Sequence, residues 1–235
     1  MRRVVRYLVP MTTVLVATTA LLPCPLDAAP ATQTPLYSLT ALLSVTPDLS
    51  GAARGALIAE AERIWRREGV KLTWPTASVD ESAPLRILVI TRREAAKGGN
   101  ERWAVGELVP QTGQRALAIA SIAAAERVLA EADARRLQLL ESRESGDYRL
   151  GLVLGRAVAH EIGHYLLGTA THADRGLMRA SIDAREFADP GARTFTLDEA
   201  AGDWLRNRLT QTTDGSLPFS GFSYTVTQEP SVPRP

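Results

Sequence analysis

The chain has 235 residues, enough for one or two domains with a sizeable core. Its 45% hydrophobic and 23% charged content and formal net charge of +1 describe an ordinary globular protein and exclude a polyelectrolyte or low-complexity chain. The basic residues are 25 Arg and 2 Lys with no concentrated basic patch, which argues against nucleic-acid binding.

Residues 1–29 read as a secretory signal. Arg2, Arg3 and Arg6 precede an apolar run over 7–22, and Ala28, Ala29 and Ala31 offer cleavage sites. The run is short for a membrane span and contains Pro10. Removing residues 1–29 takes away three arginines and one aspartate, moving the formal charge from +1 to −1. It also removes Cys24, the sole cysteine, so the mature chain would rely on its core and not on disulfides. The expectation is an exported protein, periplasmic or extracellular, with no membrane span after cleavage.

A Pro/Thr/Ala-rich lead-in over 30–36 precedes a short strand over 39–45. Turn and cap residues at 47–51 introduce a helix over 53–68, with Leu57, Ala61, Ile64 and Trp65 at i, i+4, i+7 and i+8. Gly69 stands where a left-handed helix cap is wanted. A second strand over 70–74 ends at Pro75, and 76–84 is a loop. Residues 85–90, the most apolar strand, predict a central position in the sheet. A loop over 94–102 leads to strands over 103–109 and 115–121, joined by Pro110-Gln111-Thr112-Gly113.

A helix, in one or two pieces, is predicted over 122–140. Ser145-Gly146-Asp147 should break it and cap the next, over 148–167, which is apolar almost all round and therefore buried. Gly168 stops that helix. Thr196-Leu197-Asp198-Glu199 reads as a capping box for a last helix over 197–209. From about 211 to 235 the chain is a polar, Pro-rich tail. No linker divides the region 30–210, so one domain of mixed α/β class is expected. Trp65, Trp74, Trp103 and Trp204 are core or subsite aromatics.

The chemistry concentrates in the buried helix. His160-Glu161-Ile162-Gly163-His164, with His172 after it, holds all three histidines of the chain. Residues four apart on a helix share a face, so His160 and His164 can offer two imidazole nitrogens to one ion. Glu161 lies about 100° round the helix, placed to reach a water on that ion without ligating it. A catalytic zinc takes three protein ligands and keeps an open position. His172 is the first candidate for the third ligand. Asp183 and Glu186, at 19 and 22 residues after His164, are rivals in the manner of thermolysin-like enzymes, and Asp174 is a further one. A closed structural zinc site usually draws on cysteines, which the mature chain lacks.

The run His160-Glu161-x-x-His164, Gly168, His172, Met178 resembles the signature of the metzincin metallopeptidases, H-E-x-x-H-x-x-G-x-x-H with a methionine turn. Here Leu167 stands at the glycine position, and His172 lies eight residues after His164 instead of six. The resemblance implies a metzincin-like zincin domain: a twisted mixed sheet of about five short strands packed on the active-site helix, with a small, mostly helical C-terminal part. It implies one zinc per chain on His160, His164 and His172, Glu161 as general base, Gly168 turning the chain to the third ligand, and Met178 in the turn beneath the metal. It implies hydrolysis of peptide bonds in a peptide or protein substrate by a monomer. Substrate would pair as an added strand along a sheet edge, for which residues 115–121 are the expected rim. Tyr148, Tyr165 and several arginines are unranked candidates for the oxyanion partner.

Overall fold

The computed structural model describes residues 37–75, 83–91, 105–111, 115–134 and 143–211, all within the unit Thr34–Pro235. The expected signal segment over 1–29, the lead-in over 30–36, the tail beyond 211, Trp103, the loop expected over 94–102 and all but the last two residues of the loop expected over 76–84 lie outside the described residues.

The elements alternate as the sequence implies. Strand β1 (Tyr37–Val45) leads through Ser50 into helix α1 (Gly51–Arg67). The Ser50 hydroxyl accepts the Ala53 N–H at 3.1 Å, an N-cap that satisfies one of the first-turn donors. Leu57, Ala61, Ile64 and Trp65 form the buried stripe that their spacing predicts. Gly69, at φ 77°, turns the chain into β2 (Val70–Thr73); an L-residue there would be strained. Strands β3 (Leu85–Ile90), β4 (Gly106–Gln111) and β5 (Arg115–Ser121) complete a sheet of order β2-β1-β3-β5-β4. The apolar strand β3 is central, as expected.

Four strands are parallel and β4 runs antiparallel to β5. This corrects one expectation: 115–121 is not the rim. β5 lies between β3 and β4, so among the described strands the outermost on that side is β4. The buried positions of the strands share one face: Leu39 opposite Leu72, Leu85 opposite Ala116, Ile87 and Leu108 opposite Ala118, Val89 opposite Ala120. The three alanines of β5 keep that face shallow.

Helix α2 (Ile122–Asp133) follows β5 directly, capped by Ser121, and helix α3 (Arg143–Leu167) packs on α1 and on β4 and β5. The expected break at Ser145-Gly146-Asp147 does not occur, because α3 starts at Arg143 and runs through it. In the first turns of a helix the N–H groups have no intrahelical acceptor to lose, so residues that break a helix interior are tolerated. The approach of α1 and α3 is set by Gly151 and Gly155. A Cβ at Gly151 would collide with the Ala53 carbonyl oxygen, and one at Gly155 would sit 2.7 Å from that of Leu57. Trp65 Nε1 adds a hydrogen bond to the Ala159 carbonyl at 3.1 Å.

Beyond α3 come a short helix α4 (Ala184–Ala188), which the sequence reading does not anticipate, and α5 (Glu199–Gln211). Asp183 caps α4. The cap of α5 is Asp198, accepting the Ala201 N–H at 2.8 Å, and not the expected Thr196. Thr196 and Leu197 are held by tertiary bonds instead: Leu177 N–H donates to the Thr196 carbonyl, and Leu197 N–H to Glu68. Of the tryptophans, Trp65 is core, Trp74 is half-buried and bonded to Glu62, and Trp204 is 44% exposed. No described helix is long and apolar enough to cross a membrane.

Candidate metal centre

The motif falls in the last two turns of α3, whose residues from Gly151 to Ala159 are all buried. Gly168, at φ 65°, ends the helix; its N–H and that of Thr169 both bond to the His164 carbonyl. This is the left-handed stop expected of it. The chain then turns back, and the Ala173 N–H donates to the Met178 carbonyl at 2.8 Å. That bond places His172 over the helix end. The ring centroids of the three histidines are 4.7, 4.9 and 5.3 Å apart. One nitrogen from each lies within 4.8 Å of the others, close enough to hold a metal ion.

The hydrogen bonds fix which nitrogens face the centre. His160 Nδ1 lies 2.8 Å from the Leu177 carbonyl and His164 Nδ1 lies 2.8 Å from the Thr169 carbonyl. A carbonyl only accepts, so each Nδ1 carries the proton and each Nε2 a free lone pair. The two Nε2 atoms are 3.0 Å apart. Two lone pairs at that distance repel unless a cation lies between them. Two nitrogens at zinc–nitrogen bond lengths and a tetrahedral angle stand roughly 3.3 Å apart, so the residues fit such an ion. Burial pushes His160 down to about 4 despite the Leu177 carbonyl, and lowers His164 as well. Neutral imidazoles are the form a metal requires.

Glu161 is buried at 5% exposure, and burial, with the neighbouring Glu107 carboxylate second, pushes it up to about 8. Its carboxylate lies against Gly106 at the start of β4: a Cβ there would be 2.6 Å from Glu161 Oε1. Gly106 therefore joins the site, although it stands in the sequence only as a glycine inside a strand pattern. That pattern is a known mark of close backbone approach.

Met178 is buried, and a Cβ on Gly163 would run into its sulfur, so it packs on the motif helix at Gly163. The turn before it is fixed by Gly176, at φ 78°, where a side chain would strike the Thr196 carbonyl. Leu177 thus reaches His160 with its carbonyl and Thr196 with its N–H.

The rival carboxylates are engaged elsewhere. Asp183 Oδ1 accepts the Arg185 N–H, and Glu186 is paired with Arg179 and accepts the Thr194 hydroxyl. Arg179 accordingly holds Glu186 below the usual carboxylate range. Asp174 is exposed and outside the histidine cluster. A cleft of about 700 Å³ opens over the three histidines and Glu161, walled by the Val105–Leu108 segment, α2, and residues 179–187. Neither Tyr148 nor Tyr165 lines it, whereas Arg127 and Arg179 do. Tyr165 is buried, and burial raises it to about 12.

The sequence matches no protein-family model and no curated protein.

Proposed function

We propose that the chain is a zinc-dependent endopeptidase of metzincin-like type, exported and monomeric, with one zinc on His160, His164 and His172. The observation that carries this reading is the pair of Nε2 lone pairs, on half-buried His160 and buried His164, facing each other at 3.0 Å beside a buried carboxylate that does not join them. Three imidazole nitrogen donors with an adjacent unligated Glu is the donor set of a catalytic zinc, not of a closed structural one.

When bound, zinc lowers the pKa of a water towards neutrality and polarises a carbonyl oxygen. The residues supply the rest. The Leu177 and Thr169 carbonyls hold the imidazoles in the ligating tautomer. A cation on the histidines would counter the burial that raises Glu161 and favour its carboxylate form; in that form Glu161, with the Gly106 backbone behind it, takes the water's proton and passes it to the leaving amine. The outer edge of β4 pairs with the peptide main chain beside that carboxylate, and backbone pairing of this kind is tolerant of sequence. The apolar surround of α3 keeps the proton transfer away from bulk water.

Metal content tests the ligand set. Zinc near one per chain should persist in Asp183→Ala and Glu186→Ala and be lost in His172→Ala. Zinc that survives loss of His172 but not of Glu186 would replace this centre by one with a carboxylate ligand. A wild type that binds zinc and cleaves nothing in a broad peptide library would make the chain a zinc-binding module without catalysis.

A further inference from the structure

Helix α4 has five residues, too few to be stable alone, yet Asp183, Ala184 and Phe187 form one wall of the cleft. Its support comes from a side chain that does not touch the cleft. Arg156 is fully buried on α3, one turn before His160. Its Nη1 donates to the Phe187 carbonyl at 2.8 Å and the Glu186 carbonyl at 3.2 Å, and its Nη2 to that of Asp189 at 2.9 Å. The Phe187 carbonyl is a last-turn carbonyl that a helix cannot satisfy by itself, and the Glu186 carbonyl also accepts the Asp189 N–H at 3.4 Å. Nε is held by Glu60 of α1 at 2.8 Å, and the guanidinium lies 4.2 Å over the Phe195 ring. Glu60 is in turn gripped by Arg63 through two bonds, of 2.6 and 2.7 Å. On its other side α4 is tied through Glu186 to Arg179, the residue after Met178.

We propose that Arg156 is a positioning residue that clamps the α4 wall to the metal-binding helix, so that the cleft grips a substrate side chain at a fixed distance from the histidines. Burying a guanidinium is costly unless every donor is used; here the cation spans α1, α3 and α4 at once. A lysine cannot replace it, because a single ammonium lacks the planar fork that reaches Glu60 and three carbonyls together. The proposal rests on the zinc-peptidase reading only for the nature of the ligand.

The test uses full-length zinc-loaded wild type and Arg156→Lys, with two hydroxamates as probes: a peptide hydroxamate that fills the cleft, and acetohydroxamate, which reaches the metal alone. Arg156→Lys should keep its zinc and its affinity for acetohydroxamate within about twofold. It should weaken the peptide hydroxamate roughly tenfold and raise KM more than it lowers kcat. Hydrogen exchange over 184–188 should quicken roughly tenfold while 151–164 stays protected. Equal loss of both hydroxamates, or a lowered Tm with neither affinity changed, would overturn the clamp. Wild type alone also decides, whether or not the variant folds. The Phe187 and Ala188 amides should be well protected, and exchange there at the rate of an exposed loop contradicts the proposal. Failure of wild type to bind zinc or either hydroxamate would instead defeat the reading of function, and the exchange measurement would still decide the clamp.

Discussion

Glu161 and Gly106 meet at a distance that leaves no room for a methyl group, since a Cβ would stand 2.6 Å from the carboxylate oxygen. Gly106→Ala should therefore retain zinc and fold but push the carboxylate out of line. Displacements on the order of 1 Å cost about 10²-fold, so kcat/KM should fall by ~10-fold or more. Kinetics equal to wild type would show that the Glu161 position is not critical. The histidine cluster was legible because the only three histidines of the chain crowd into thirteen residues, two of them one helical turn apart. Gly106 and Arg156 were not, because each matters through a partner 55 or 96 residues away; the glycine in a strand marks a close approach at Gly106 but not what approaches, and Arg156 carries no local mark at all. Glu60 titrates in the same network. Burial opposes its charge, but hydrogen bonds from Arg63 and Arg156 prevail and hold it below the usual range. A depressed carboxylate contributes stability above its unfolded pKa and loses it as pH falls through the folded one. On acidification below about 4.5, wild type should thus lose stability that Glu60→Gln, already weaker at pH 7, does not. Denaturant melts of both at pH 7 and pH 3.5 measure this, and parallel losses would contradict it.

At the scale of elements, α1 and α3 are the frame of the site. Their backbones touch at Gly151 and Gly155, which lets Trp65 and Glu60 reach across. Overpacking a tight contact costs roughly 1–3 kcal/mol. Gly155→Ala should lower the urea midpoint accordingly with zinc still bound, and an unchanged midpoint would mean the helices can separate freely. The sequence announced both helices through their apolar patterns and the left-handed stops at Gly69 and Gly168. It misplaced the start of α3 and the cap of α5 because local signals there compete with tertiary ones. Thr196, for example, gives its carbonyl to Leu177 instead of starting a helix. The rim was assigned to β5 because strand order depends on pairings between distant segments. The alternation of Arg115-Ala-Leu-Ala-Ile-Ala-Ser reads the same in an inner strand as at an edge.

Across the whole molecule, the order of strands and helices predicted an α/β class, and the five-stranded mixed sheet with five helices among the described residues has that class. The core runs from Leu39 in β1 to Leu209 in α5; it passes beside the three histidines through Ala159, Ile162 and Met178, and none of the histidines belongs to it. Chelation should therefore leave a folded protein. Zinc at about 1,000 times its Kd adds roughly 4 kcal/mol by linkage, so its removal should lower Tm by on the order of 10 °C with far-UV circular dichroism retained. Collapse of the fold on chelation would make the zinc structural.

The most direct measurement is peptide hydrolysis by zinc-loaded Glu161→Gln beside zinc-loaded wild type. The amide keeps the shape of the side chain and cannot accept the water's proton. Wild type should cleave, and the variant should hold the same zinc, melt at the same temperature or slightly above, and turn over about 10²-fold more slowly or worse. Equal turnover in the two proteins, or none in either with zinc bound, would contradict a peptidase that works through Glu161.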